Sequence, residues 1–155
     1  MGKFERLDLF LEAALERVWT WGEWDCALCP ADWVMALGHP DPAAHLRETY
    51  HTAHGAARVV RQAGGMVALW TEVAARAGAR PVTAPRKGDV GLIRLPDFEQ
   101  PRPELLAEAT PVSLRELAGA VCIGGRHWAT ASAEGIGMLN DPAVVMAWRM
   151  EVARG

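Results

Sequence analysis

The stretch Trp21-Gly-Glu-Trp-Asp-Cys-Ala-Leu-Cys29 sets two thiols three positions apart, behind an aspartate and among tryptophans. Four kinds of chemistry are open to such a pair. Cys26-x-x-Cys29 with His39 and His45 offers the four soft or imidazole ligands of a zinc site. Against zinc, Pro30 follows the second thiol at once, and a helix over about residues 31–37 fills most of the gap to the histidines. A thioredoxin-like redox pair also uses Cys-x-x-Cys at a helix start, but after a strand, whereas here a helix and a tryptophan-rich loop come first. The third reading makes Cys26 a nucleophile at the amino end of a helix, where free N–H groups and the helix dipole favour the thiolate and Asp25 caps the turn. Cys29, one turn on, then packs inward. Pro30 lacks an N–H and its ring crowds the Cys26 carbonyl, so either the first turn is distorted or the regular helix starts nearer Cys29. The fourth reading is plain packing, the commoner fate of a free cysteine.

Other chemistry-bearing residues carry less. His51-x-x-His54 shares one face if helical, but no nearby Cys, Asp or Glu completes a metal set, and a solvated surface is the expected role. Trp19, Trp21, Trp24 and Trp33 crowd the cysteines and read as core more readily than as a sugar-stacking platform. Gly64-Gly65 lacks the lysine and preceding strand of a phosphate loop.

The elements that must position these residues follow from periodicity. Leu7, Phe10, Leu11, Ala14, Leu15 and Val18 recur at helical steps and predict an amphipathic helix that stops before Trp19. A second helix runs from near the cysteines through Trp33, Val34 and Leu37 to Gly38-His39-Pro40, and Asp41-Pro42 opens a short helix or turn. Residues 53–62 and 66–77 predict two more helices, with Met66, Leu69, Val73 and Ala77 as one apolar stripe. After Pro81 and Pro85 the pattern changes to strands over residues 89–94, 119–123, 136–139 and 144–150. Residues 96–111, with four prolines, read as a surface excursion, and Ser113-Leu-Arg-Glu116 as a capping box. Helices followed by strands predict an α+β fold, one domain over residues 1–155, with an antiparallel sheet.

The chain has 155 residues, half of them apolar, and a formal net charge of -3. That composition is globular and gives no electrostatic reason to expect nucleic acid or a membrane surface. Three cysteines cannot all pair within the chain, and a core of this size needs no disulfide, so thiols in a reducing compartment are expected. The amino terminus mixes charges with apolar residues and shows no signal peptide, and charges or prolines interrupt every apolar run that would cross a membrane.

Asp25-Cys26 at a helix start, followed later by Pro85-Arg-Lys-Gly-Asp-Val-Gly-Leu-Ile93, resembles the NlpC/P60 group of papain-like cysteine peptidases. The run Trp24-Asp-Cys-Ala-Leu-Cys-Pro-Ala-Asp-Trp-Val34, with Asp41-Pro-Ala-Ala, Leu46-Arg and Gly55-Ala-Ala-Arg58 through Gly64-Gly65, is similar to a phage and prophage family, the DUF6950 type, related to that group. The resemblance implies a helical N-terminal lobe carrying the cysteine, packed on an antiparallel sheet that supplies a histidine and a third polar residue. In such peptidases the thiol attacks an amide carbonyl, the imidazole shuttles the proton and the polar residue orients it. The family histidine begins the second core strand. Here Leu117-Ala-Gly-Ala-Val-Cys-Ile-Gly124 is the best match, and it holds Leu117 or Ala118 in that register. The only histidine in the β half, His127, is then the candidate base, following the expected turn Gly124-Gly125-Arg126, with Asn140 as its orienting partner and Asp141 a weaker choice. Its other reading is a surface turn residue.

Two functions are therefore expected. One is a phage-tail cysteine peptidase or amidase cutting peptidoglycan peptides, with Cys26 as nucleophile and His127 as base. The other is a papain-like structural or adaptor protein of the tail tip without the chemistry. Either one is assembled in the host cytoplasm with other tail proteins, then carried in the virion tail, and calls for no cofactor or metal.

Overall fold

The computed structural model describes residues 1–95 and 117–154. The predicted excursion over residues 96–111 and the capping box over residues 113–116 lie outside the described residues.

Helix α1 spans Lys3–Ala14 and buries Leu7, Phe10 and Ala14, the predicted stripe. It ends a turn earlier than the apolar pattern, leaving Leu15 and Val18 60% and 70% exposed. Docking onto the sheet ends it. The carbonyls of Ala14, Leu15 and Arg17 press on Gly135, where a Cβ would stand 2.5 Å from the Ala14 oxygen. Trp24 Nε1 donates to the Gly135 carbonyl at 2.6 Å, pinning the tryptophan loop to the same point.

Helix α2 spans Cys29–Ala36, α3 spans Ala53–Ala63 and α4 spans Met66–Ala77. The α3 start is capped by Thr52, whose hydroxyl accepts from the Gly55 N–H at 3.0 Å, a bond that satisfies one of the orphan donors of a first turn. In α4 the buried face is Met66, Leu69, Trp70, Val73 and Ala74. Trp70 stacks at 6.0 Å on Trp148 and donates from Nε1 to the Ala27 carbonyl, so α4 holds both the sheet and the cysteine loop.

The strands are β1 Arg80–Pro81, β2 Val90–Arg94, β3 Leu117–Gly124, β4 His127–Ser132, β5 Gly135–Asn140 and β6 Val144–Arg149. They form one antiparallel sheet in the order β1-β6-β2-β3-β4-β5. The fold is α+β, as expected from helices followed by strands. Strand β4 was not anticipated. His-Trp-Ala-Thr-Ala-Ser offers one aromatic and small alanines in place of a β-branched run, so its period-2 pattern is faint.

One ion pair closes the sheet. Asp89, fully buried just before β2, accepts from Arg149 Nε at 2.9 Å and Nη2 at 2.8 Å, and from the Arg86 N–H at 2.7 Å. This forked pair ties β2 to the end of β6. Because Asp89 has no water to turn to, Arg149→Leu should destabilise the fold by about 3–5 kcal/mol, whereas removing both charges should cost less than the sum of the two single changes. Urea denaturation of the three variants measures the coupling; additive losses would contradict it.

Candidate functional site

Asp25, 1% exposed, sits between α1 and α2 and accepts four hydrogen bonds. Its Oδ1 takes the N–H groups of Ala27 and Leu28, both at 3.0 Å. Its Oδ2 takes the Gly22 N–H at 3.0 Å and the Tyr50 hydroxyl at 2.7 Å. Asp25 thus caps the turn that precedes α2, and not α2 itself, whose N-cap is Leu28 with no side-chain bond, and it also anchors the tryptophan loop and the segment before α3. Burial raises the Asp25 carboxyl above its ordinary value, while the Tyr50 hydroxyl and the three backbone N–H groups oppose that shift. The three backbone N–H groups can only donate and so favour an acceptor-only carboxylate, whereas the Tyr50 hydroxyl can serve either form.

Pro30 resolves its two alternatives in favour of the later start: regular helix begins at Cys29, and Cys26 lies in the turn before it. Residue 30 has no N–H to give to the Cys26 carbonyl. That carbonyl instead accepts from the Gly119 N–H of β3 at 2.6 Å. Only glycine fits there, because a Cβ at residue 119 would lie 2.7 Å from the Cys26 oxygen and 2.8 Å from Pro30 Cγ. The cysteine turn is thereby bonded to the beginning of β3. Leu117 leaves the same face of the strand as Gly119, since side chains alternate.

His127 is the first residue of β4, pairs with Gly124 and is exposed. Gly119 and Gly124 are five residues apart on β3, about 16 Å along an extended strand. Cys26 and His127 therefore attach to opposite ends of β3 and are not brought together. His127 and Asn140 are: they face each other as partners across β4 and β5. Asp141, next in the chain, pairs with Arg126 at 3.5 Å on the surface.

Of the other histidines, His39 Nε2 donates to the Glu151 carbonyl at 2.7 Å, and His45, His51 and His54 are exposed. Among the described residues no group of three or more His, Cys, Asp or Glu side chains is placed to hold a metal ion. Cys26, Cys29 and Cys122 are all free and buried. Cys29 packs inward with no exposed surface, as expected of the second thiol. Burial, and secondarily the charge of Asp25, push the Cys26 thiol well up from its usual range. Beside it lies a cavity of about 10 Å³ lined by Trp21, Asp25, Tyr50 and apolar side chains of α3 and α4, room for one water at most. Trp19, Trp24 and Trp33 are core, as expected, with Trp33 Nε1 donating to the Gly88 carbonyl, while Trp21 is only half-buried at the edge of the core.

Two participants escaped the sequence. Tyr50 is the only tyrosine of the chain, yet nothing in spacing links it to Asp25. Arg47 joins Asp41, from Nε at 2.7 Å, to Asp32 of α2, and donates to the Glu23 carbonyl. The Leu46-Arg47 pair quoted for the resemblance was the available signal.

Tyr50→Phe removes one donor from a buried carboxylate and should cost about 1.5–3 kcal/mol of stability. Chemical denaturation measures it. A loss under about 0.5 kcal/mol would mean that Asp25 does not depend on the phenol.

Among the described residues no helix is long and apolar enough to cross a membrane. No curated protein and no solved structure matches the chain. The family model described as Domain of unknown function (DUF6950) matches residues 3–150. With nearly the whole length matched, from α1 to the end of β6, the chain belongs to the DUF6950 family.

Proposed function

We propose that the chain is a papain-like structural or adaptor protein of a bacteriophage tail tip, one that has lost its catalytic base. The observation that carries this reading is the neighbourhood of Cys26. The thiol is buried, its turn is bonded to the start of β3, and the residue on the facing side of that strand is Leu117, in the register where the NlpC/P60 histidine would stand. A thiol with no base in reach is a poor nucleophile toward an amide. The tail assignment rests on the resemblance of the cysteine run and the following motifs to phage and prophage proteins.

A second reading has specific support. The Asp25-capped turn before α2 and the paired His127 and Asn140 are the parts of a cysteine peptidase or amidase acting on peptidoglycan peptides. It requires thiol and imidazole to meet from opposite ends of β3.

The test is incubation of the full chain with purified peptidoglycan stem peptides, read by mass spectrometry. No product should separate the native chain from Cys26→Ala. Cleavage that disappears in both Cys26→Ala and His127→Ala would contradict the proposal and establish the peptidase.

A further inference from the structure

Helices α1 and α2 run antiparallel, with Arg6 donating to the Ala36 carbonyl at one end and Arg17 paired with Asp32 at 3.3 Å at the other. Between them lies an open groove of about 340 Å³ walled by Phe10, Ala13, Met35 and Ala36. Arg17 and Asp32 close its end, Asp32 being shared with Arg47 and the Arg17 guanidinium lying 4.5 Å over the Trp24 ring. The rim is apolar too, since Leu9 is 52% and Met35 37% exposed.

The outer flank of this groove is acidic. Glu5, Asp8 and Glu12 of α1 follow at steps of three and four, and Glu16 comes four residues later in the turn that ends the helix. All four are exposed, and none makes an ion pair among the described residues. On a helical projection Ala13 and Leu9 separate the groove from these acids, so the surface passes from apolar to anionic across one helix face. Like charges at such spacings destabilise a helix standing alone. A cationic partner would turn that repulsion into attraction.

We infer that the α1–α2 groove is a docking site for a basic amphipathic helix of a partner protein, its apolar face seated against Ala13, Met35 and Ala36 and its Lys or Arg flank along Glu5, Asp8, Glu12 and Glu16. Helix-in-groove recognition uses this combination of apolar anchors and charged flank. A helix of about twelve residues matches the length of α1, about 18 Å. The inference deepens the adaptor reading by giving the partner's chemistry, and it rests on that reading only for the partner's identity.

The test is calorimetric titration of the full chain with a synthetic amphipathic helix, leucines on one face and lysines on the flank, against a scrambled peptide of the same composition. The amphipathic peptide should bind in the micromolar range and weaken as salt is raised, and the scrambled one should not bind. Glu12→Lys, which reverses charge, and Ala13→Gln, which fills the groove without adding charge, should each weaken binding about tenfold or more. Both replace exposed side chains; Met35→Ser, on the opposite wall, is the independent check should either lower the melting temperature. Equal binding of the scrambled peptide, indifference to all three variants, or no binding overturns the inference. So does self-association of the chain that Ala13→Gln abolishes, which would make a second copy the occupant. None of these variants touches Cys26, so stem-peptide cleavage reads the adaptor proposal separately.

Discussion

A single buried carboxylate organises this molecule. Asp25 gathers donors from the tryptophan loop, from the turn that precedes α2 and from the segment leading into α3. Three stretches that share no regular hydrogen-bond ladder are fixed around two oxygen atoms. Taking that charge out of water is unfavourable by several kcal/mol, and only a full set of donors makes the burial tolerable. The tryptophans, the cysteine turn and Tyr50 hold their places because each serves that one acceptor or packs on what does.

The same arrangement decides the character of Cys26. A free helix start favours a thiolate by about 0.3–1 kcal/mol. Burial without a partner shifts a titratable group by as much as about 3–5 pKa units, each near 1.4 kcal/mol. Burial therefore outweighs the dipole several-fold, and the anionic Asp25 adjacent in sequence adds to it. The helix itself starts at Cys29, one turn too late to aim its free N–H groups at Cys26 alone. An adjacent imidazolium would offset this balance, but His127 pairs with Gly124 at the far end of β3 from Gly119, which bonds the Cys26 carbonyl.

Much of this was legible in the chain. The α1 and α4 stripes, the existence of α3, the inward turn of Cys29 and the α+β order all follow from local spacing. What was not legible is non-local. The Asp89 and Arg149 pair spans 60 residues, and Tyr50 reaches Asp25 across 25, separations at which sequence carries no geometric signal. Strand β4 was hidden by its alanines. The end of α1 was misread because Leu15 and Val18 continue the helical period, whereas the chain turns to set its carbonyls on Gly135. Pro30 was the informative irregularity: its missing N–H and crowding ring left a helix start nearer Cys29 as one of two alternatives, the one observed, but gave no sign that Gly119 would bond the Cys26 carbonyl.

Cys26 is a buried thiol whose surroundings push its titration up. The most direct measurement is the rate at which iodoacetamide alkylates Cys26 in the folded chain as a function of pH, followed residue by residue by mass spectrometry with the urea-unfolded chain as reference. Labelling should be far slower than in the unfolded chain at neutral pH, rising only as the solution becomes alkaline. Labelling faster than the unfolded reference, with a midpoint below about pH 7.5 as an activated thiolate would give, would contradict it.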